Sequence, residues 1–248
     1  MLKVIVNGCL GKMGCVLTKC IQEDSELELV CGVSKDLPSN PTFKMYSKMV
    51  DIEEKADVII DFSHHEALND VLSFALQNKT PLVIATTGYN DDELRKIKIA
   101  SKSIPIFHSS NMSLGVNVLL KLVREASKVL NGFDIEVIEK HHNKKVDAPS
   151  GTAVMIANAV KDVLPSVEYN YGRYGRSAKR SENEIGIHAV RGGTIVGEHD
   201  VIFAGHDEVV QISHSAQSKD IFAKGSITAA KYLVNQDCGY YNMDDMLN

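Results

Sequence analysis

The sequence predicts an α/β fold, with a parallel sheet in the N-terminal part and a central α+β region built on an open mixed sheet. Three observations predict it. Apolar runs alternate with helical patterns from residue 2 to residue 108, a glycine cluster follows the first run, and several strands with little helix between them lie beyond residue 112. Alternation of this kind favours parallel strands with helices on both sheet faces. Consecutive strands with short links favour an antiparallel or mixed sheet.

The strands of the first part are short continuous apolar runs, as expected where both faces of a sheet are covered. Apolar residues spaced i, i+3 and i+4 predict the helices between them, and the last of these is predicted over residues 91–102. The predicted strands span residues 2–6, 27–33, 56–62, 81–88 and 104–108. Ligands of such sheets bind at the carboxyl ends of the strands, so the turns after these strands are candidate binding segments.

The second part begins with a long helix, predicted over residues 113–131. Residues 133–139 then alternate apolar and polar side chains, which indicates a strand with one face more open than the other. Residues 165–183 contain turn residues and little periodicity, so they are the best candidate for a mobile loop. The remaining predictions are helices at 151–164 and 218–235, strands at 185–190, 194–197, 200–204 and 208–214, and a polar tail after the last helix.

The composition excludes several classes of partner and site. The chain has 248 residues and a formal net charge of −5, which argues against nucleic acid because phosphate binding needs a basic face. No apolar run approaches the ~20 residues of a membrane span. The five cysteines form no C-x-x-C pair, and we expect them to be reduced and buried, which favours a cytoplasmic location.

The glycine cluster VIVNGCLGKMG leads from the first strand into a helix. Gly8 allows a tight turn, Gly11 lets the backbone approach a pyrophosphate, and Gly14 lets helix and strand pack closely. The helix N-terminus adds N–H groups and a partial positive charge. The alternative is an ordinary βα turn, but the position after the first strand of an alternating series favours dinucleotide binding.

The second strand ends at Ser34 and Lys35, where an Asp or Glu would bind the adenosine ribose of NAD. A hydroxyl and a cation suit a 2′-phosphate, so NADPH is favoured and NADH is tolerated. Asp36 could still serve NADH if the register differs, and Lys35 could simply be solvated. Two later turns, ATTG (85–88) and HSSNMS (108–113), could hold the ribose and the nicotinamide amide, although ordinary turn chemistry would also explain them.

The segment EKHHNKKVDAPSGTA (139–153) joins two histidines and a lysine to a helix start. The N–H groups of Ser150, Gly151 and Thr152 would bind a carboxylate, and Lys145 would add a charge-assisted bond. Imidazole titrates near neutral pH and suits a general acid or base. Three alternatives stay open: a metal site that lacks a third ligand, a solvated basic turn, and a phosphate site without chemistry.

Six segments together resemble the 4-hydroxy-tetrahydrodipicolinate (dihydrodipicolinate) reductase family of lysine and diaminopimelate biosynthesis. They are GCLGKMG (8–14), VIIDFS (58–63), VIATTGY (83–89), SSNMSLGVN (109–117), EVIEKHHNKKVDAPSGTA (136–153) and RGGTIVGEH (191–199). The resemblance implies a Rossmann-type dinucleotide-binding domain of residues 1–112 plus 222–248. It also implies a domain of residues 113–221 that binds a cyclic dicarboxylate substrate and forms a homotetramer. The cofactor would be NADPH or NADH.

The resemblance also implies roles for single residues. His141 would be the proton donor, Lys145 the second catalytic residue, and His142, Gly151 and Thr152 would contact substrate, with no metal involved. The cofactor contacts would be Gly8, Cys9, Leu10, Gly11, Lys12, Met13, Gly14, Ser34, Lys35, Ala85, Thr86, Thr87, Ser109, Ser110, Asn111 and Met112. This chain departs from the family at Ser34 and Lys35, where an acid–arginine pair is common, and at Lys219, where an arginine is common.

Two rival classes are weighed against this interpretation. A semialdehyde dehydrogenase-like enzyme needs a cysteine nucleophile in the catalytic half, but residues 32–237 contain no cysteine. A redox-sensing dinucleotide-binding protein would keep the glycine turn but would not need the His–Lys cluster.

Overall fold

The computed structural model describes residues 1–248 and divides into two compact units. Unit 1 comprises Met1–Leu114 and Lys219–Asn248, and unit 2 comprises Gly115–Ser218. The sequence prediction places the domain bounds at residues 112 and 222. No helix has both the length and the apolar character needed to cross a membrane.

Unit 1 is built on a sheet of seven strands in which every pairing is parallel. The strands are β1 (Leu2–Asn7), β2 (Leu27–Val33), β3 (Met45–Tyr46), β4 (Val58–Asp61), β5 (Leu82–Ile84), β6 (Pro105–His108) and β12 (Gly239–Tyr241). Their order is β12-β6-β5-β4-β1-β2-β3, so the direction of winding reverses between β1 and β4. Open sheets of this kind bind ligands at that reversal, outside the carboxyl ends of the strands.

Helices cover both faces of the sheet in unit 1, which explains why its strands are continuous apolar runs. The helices are α1 (Lys12–Glu23), α2 (Leu68–Asn78), α3 (Asp91–Ala100), α6 (Asp220–Leu233) and α7 (Met243–Leu247). One core contains α1 and α6 residues such as Leu17 and Ala230, and the other contains α2 and α3 residues such as Val71 and Ile97. The predicted polar tail is wrong, since residues 239–247 form an edge strand and a last short helix.

Unit 2 contains a sheet of five strands in the order β11-β10-β7-β9-β8. The strands are β7 (Asp134–His141), β8 (Glu168–Asn170), β9 (Glu184–Arg191), β10 (Gly197–Ala204) and β11 (Val209–Ala216). The pairs β7–β9 and β8–β9 are parallel, and β7–β10 and β10–β11 are antiparallel, so the predicted mixed sheet is confirmed. The helices are α4 (Leu114–Val129) and α5 (Gly151–Lys161).

One face of this sheet, here called the inner face, packs against α4 and α5. Alternate residues of β7, such as Ile135 and Val137, share a core with Leu120 of α4 and Ile156 of α5. The opposite face, here called the outer face, carries the other β7 residues, among them Glu136. Alternation along β7 thus separates an apolar inner row from a charged outer row, as the period-two pattern of the sequence predicts.

Three further predictions need correction. A separate strand at 194–197 is wrong, because a turn occupies residues 192–196 and one continuous strand follows from Gly197. The segment 165–183 contains β8, and two of its three arginines, Arg173 and Arg180, are ion-paired to the sheet. All five cysteines are free, but Cys15 and Cys238 are exposed rather than buried.

Candidate active site

The glycine turn after β1 is shaped by close backbone approaches. Gly8 has a φ of +80°, and a Cβ there would lie 2.5 Å from the carbonyl oxygen of Phe62, so only glycine fits. A Cβ on Gly14 would collide with the carbonyl oxygen of Gly8. The N–H of Gly11 donates to that same oxygen at 2.9 Å. The turn is therefore tight, and α1 begins directly against it.

The start of α1 offers backbone donors to an anion. Its first intrahelical hydrogen bond is donated by Cys15 to Gly11, so Lys12, Met13 and Gly14 precede it and their N–H groups have no acceptor within the helix. Gly11 caps the helix without a side-chain hydrogen bond. An anionic pyrophosphate fits this site, because the helix dipole adds to the donors.

Cys9 stabilises the turn through a backbone hydrogen bond, and its side chain is buried. Its N–H and that of Gly8 donate to the carbonyl oxygen of Val33 at 3.1 and 2.9 Å. Burial raises the pKa of the Cys9 thiol to about 11, so the side chain stays neutral. Gly8 and Cys9 therefore form the turn, while the donors lie one helical turn further on.

The other predicted cofactor segments lie at the same edge of the sheet. Asn7, Asp61, Ile84 and His108 are the last residues of four neighbouring strands and stand next to one another in register. The segments Ala85–Thr87 and Ser109–Met112 follow directly, and Ser34 and Lys35 follow β2. The structure thus brings the ends of β1, β2, β4, β5 and β6 to one edge, as the parallel strands predict.

A buried carboxyl group connects three of these strand ends. Asp61 is fully buried and accepts hydrogen bonds from Asn7 Nδ2 at 2.8 Å, Thr86 Oγ1 at 2.8 Å and Ser63 N at 3.2 Å. Burial raises the pKa of Asp61, and these neutral donors oppose the rise only in part. The hydroxyl of Thr86 is therefore used within the sheet edge, whereas Thr87 is exposed.

In unit 2 the inner face changes from apolar to polar at one end of its three central strands. The inward positions of β7 run from Ile135 and Val137 to Glu139 and His141. On β10, His199 lies directly opposite Glu139, and on β9, Arg191 lies directly opposite His141. The strand register alone therefore gathers a carboxylate, a guanidinium and two imidazoles.

Glu139 is the centre of this group. It has no exposed side-chain area, yet it receives two hydrogen bonds of 2.7 Å from the guanidinium of Arg191. His141 Nδ1 lies 2.6 Å from one carboxylate oxygen, and Ser150 N donates to the other at 2.9 Å. Burial acts to raise the pKa of Glu139, but these hydrogen bonds outweigh it, so the pKa is lowered and the group is a carboxylate.

His199 lies against His141 on the side of β10. The two rings meet edge to face with centroids 5.3 Å apart, and His199 Nε2 lies 3.0 Å from Ser150 Oγ. Burial, to which the neighbouring His141 adds, lowers the pKa of His199 to about 4. This second imidazole is therefore neutral at physiological pH.

The turn between β7 and α5 is stabilised by contacts at Asp147 and at Ser150. Arg191 Nη2 donates to the carbonyl oxygen of Asp147 at 2.8 Å, and Lys145 Nζ pairs with the Asp147 carboxylate at 2.8 Å. Ser150 caps α5 by accepting a hydrogen bond from the Ala153 N–H. Gly151, the first helical residue, has no atom within 4 Å of a Cβ position, so a ligand could approach its backbone.

Of the predicted residues of unit 2, His141, Lys145 and Ser150 are linked through Glu139, Arg191 and Asp147. His142 follows His141 in the chain, and Gly151 and Thr152 follow Ser150 at the start of α5. The N–H of Ser150 is engaged by Glu139 and its hydroxyl by the cap, so Ser150 shapes the helix start. His142 Nδ1 is buried without a hydrogen-bond partner. The described chain has no group of three or more His, Cys, Asp or Glu side chains arranged to hold a metal.

No role was predicted from the sequence for Glu139, Arg191, His199 and Asp61. A signal was present for Glu139, because it occupies an inward position of an alternating strand, where a charge needs a buried partner. Arg191 and His199 lie in the quoted segment RGGTIVGEH, but only the strand register and the side-chain contacts show that they lie beside Glu139.

Comparison with known proteins identifies the family. Residues 2–112 match the family "Dihydrodipicolinate reductase, N-terminus" and residues 115–247 match "Dihydrodipicolinate reductase, C-terminus". The 4-hydroxy-tetrahydrodipicolinate reductase of Caldanaerobacter subterraneus subsp. tengcongensis is 57% identical over 249 residues, covering 100% of this chain and 98% of the relative. That of Clostridium tetani is 48% identical over 250 residues, covering 100% of this chain and 98% of the relative.

A solved structure shares the fold. The dipicolinate-bound dihydrodipicolinate reductase from Paenisporosarcina sp. TG-14 superposes with a TM-score of 0.82 at 23% identity, covering 98% of this chain and 97% of the other. The chain therefore belongs to the dihydrodipicolinate reductase family.

Proposed function

We propose that this protein catalyses the NAD(P)H-dependent reduction of 4-hydroxy-tetrahydrodipicolinate to tetrahydrodipicolinate in lysine and diaminopimelate biosynthesis. Membership of the reductase family supports the reaction. The single structural observation that carries the proposal is the pairing of His141 with the buried carboxylate of Glu139, beside Lys145 and the start of α5. A nucleotide-binding protein without chemistry would not need this cluster.

The residues of unit 2 would bind and protonate the substrate. The substrate is a cyclic dicarboxylate with a conjugated imine, formed by loss of water if the hydroxylated form binds. Lys145 would hold a carboxylate through a charge-assisted hydrogen bond, and the backbone at Gly151 and Thr152 would fix its other end. Binding the carboxylate in this way also orients the ring.

His141 would supply the proton at carbon 3 of the ring. NADPH or NADH, when bound, would supply a hydride at carbon 4, and negative charge would then build on the conjugated nitrogen system. An imidazolium at His141 would neutralise this charge by giving up its proton, while Lys145 stabilises the charge as it forms. His142 would contact the substrate beside them.

The cofactor would lie at the strand ends of unit 1. The N–H groups of Lys12, Met13 and Gly14 would bind the pyrophosphate, and Ser34 with Lys35 would bind the adenosine end. A cation at position 35 favours NADPH, with NADH tolerated. The variant Lys35→Glu should raise KM for NADPH more than KM for NADH, and equal changes in both would remove Lys35 from the adenosine site.

The proposed assembly is a homotetramer in the cytoplasm. The outer face of the unit 2 sheet supports this proposal, because no helix of unit 2 covers it and the family resemblance implies that this sheet forms the oligomer. Light scattering at several protein concentrations would measure the mass, and a stable monomer would contradict the proposed assembly.

The decisive experiment follows the absorbance of NADPH after addition of enzymatically made substrate. The proposed enzyme consumes NADPH only when substrate is present, whereas a redox-sensing protein binds NADPH without consuming it. Lys145→Gln should mainly lower kcat, and Thr152→Val should mainly raise KM for the substrate. NADPH binding without turnover in the wild-type protein would contradict the proposal.

A further inference from the structure

We propose that Glu139 is a positioning residue for His141, and that Arg191 keeps it in its charged, fixed state. Glu139 fixes the ring of His141 in one orientation and one tautomer, with Nδ1 protonated, so that the proton given to the substrate is carried by Nε2. This inference rests on the proposed role of His141 as proton donor and assigns a function to two side chains that do not themselves touch the reacting atoms.

Glu139 occupies an inward position near the end of β7. It continues the inward row of Ile135 and Val137 and is fully buried. A buried carboxylate is costly unless it is paired and hydrogen-bonded. Its persistence at this position therefore needs partners that satisfy both oxygens.

Both carboxylate oxygens of Glu139 have hydrogen-bond donors, and the negative charge is retained. Arg191 contributes one hydrogen bond to each oxygen, Ser150 N contributes a third, and His141 Nδ1 completes the set. The two bonds from Arg191 form the bidentate geometry that planar guanidinium groups make with carboxylates. A carboxylate so held accepts hydrogen bonds and donates none, so Nδ1 of His141 must carry a hydrogen.

The other ring nitrogen of His141, Nε2, lies beside Gly197. Gly197 starts β10 beside His141, and a Cβ on Gly197 would lie 3.0 Å from His141 Nε2. The absence of a side chain there leaves room at Nε2. On the same side the neutral ring of His199 packs edge to face, so it supports the ring of His141 without adding a charge.

The test compares Glu139→Gln with Glu136→Gln. Glu136 is a matched control, because it lies on the same strand, pairs with Arg173, Arg180 and His188, and faces the other side of the sheet. We expect Glu139→Gln to lower kcat roughly 100-fold with little change in substrate KM, since misplaced tautomers impair proton transfer. Glu136→Gln should leave kcat unchanged.

A spectroscopic measurement separates positioning from general loss of structure. Nitrogen-15 NMR of the imidazole side chains reports which nitrogen is protonated, and the signal of His141 is identified by its disappearance in His141→Gln. Wild type and Glu136→Gln should show Nδ1 protonated in the neutral ring. Glu139→Gln should show the Nε2 tautomer or a mixture, and Glu139→Asp should partly restore both the tautomer and kcat.

A second variant covers the case in which Glu139→Gln fails to fold. Arg191→Lys keeps a positive charge but loses the bidentate pair, and it should lower kcat roughly 10-fold and shift the pH profile of kcat. Full kcat and an Nδ1 tautomer in every one of these two variants that folds would overturn the positioning role. Full turnover in His141→Gln would instead overturn the proton-donor assignment, and the NMR result would still report what Glu139 does to the ring.

Discussion

The two faces of strand β7 carry similar ionic clusters with different consequences. On the outer face, Glu136 lies 2.6 Å from Nε2 of His188 and pairs with Arg173 and Arg180. On the inner face, Glu139 lies 2.6 Å from Nδ1 of His141 and pairs with Arg191. In both cases burial acts to raise the glutamate pKa, and the hydrogen bonds from the paired cations leave it lowered.

The difference lies in what each cluster leaves available. The outer histidine uses Nε2 and has 34% of its side chain exposed, and its arginines come from the segment 165–183. That cluster fastens a connecting segment to the sheet. The inner histidine uses Nδ1, so Nε2 remains for chemistry, and a helix start and Lys145 belong to the same cluster. A Glu–Arg–His cluster is therefore no sign of catalysis until its free atoms are identified.

Removing the histidine of each cluster, His141 or His188, tests this comparison with the largest expected effect. We expect His141→Gln to lower kcat about 10²- to 10⁴-fold, which is the usual contribution of a general acid. His188→Gln should leave kcat within about twofold, because it only changes a partly exposed hydrogen bond to Glu136. Steady-state rates of NADPH oxidation at saturating substrate measure both variants.

Equal losses in the two variants would show that both act through the stability of the sheet. Thermal unfolding of the two proteins checks this point, since each variant removes one partner of a glutamate. A loss confined to His188→Gln would reverse the assignment of the two faces.

A smaller effect concerns His199, the neutral imidazole of the inner face. Its pKa is lowered from an ordinary value of 6.5 to about 4, mainly by burial. As the pH falls below 6.5, His199 binds a proton in the unfolded chain but stays neutral in the folded chain. Stability is therefore lost between about pH 6.5 and pH 4. The loss by pH 5 is about 2 kcal/mol.

His199→Gln removes this titration while keeping a group that can hydrogen-bond Ser150. Its unfolding temperature should therefore change less between pH 7 and pH 5 than that of the wild type. His206→Gln is the control, because the side chain of His206 is 98% exposed. Asp61 acts in the opposite direction, since burial raises its pKa and so favours the protonated folded form. Asp61 is present in the wild type and in both variants, so its contribution cancels in the comparison. Identical pH dependence of the unfolding temperature in all three proteins would contradict the neutral assignment of His199.

The parts predicted from sequence are those set by local pattern. Apolar runs and periodicity gave the parallel sheet of unit 1 and the alternation of β7, and the glycine spacing gave the tight turn at Gly8. The helix start near residue 151 also followed from the residues around it. In each case the residues that decide the structure are neighbours in the chain.

The parts that escaped prediction depend on distant contacts. Arg191 reaches Glu139 across 52 residues, and only the parallel register of β7 and β9 brings them together. The edge strand β12 has three residues and takes its hydrogen bonds from β6, so its own sequence carries little signal. The sequence shows that Glu139 is a charge at an inward strand position, which needs a buried partner, but it does not show that this partner is Arg191.

The smallest expected effect comes from adding one methyl group to each face of the unit 2 sheet. A Cβ on Gly197 would press on Nε2 of His141, whereas a Cβ on Gly186 would meet the carboxylate of Glu136. Gly197→Ala should lower kcat about 10-fold, close to 1.4 kcal/mol of barrier, because the ring must move by a few tenths of an ångström. Gly186→Ala should lower the unfolding temperature and leave kcat unchanged, since only the outer cluster is disturbed. If Gly197→Ala kept full kcat with an undisplaced ring, Nε2 would not be the atom that meets the substrate, and the distinction between the two faces would need another cause.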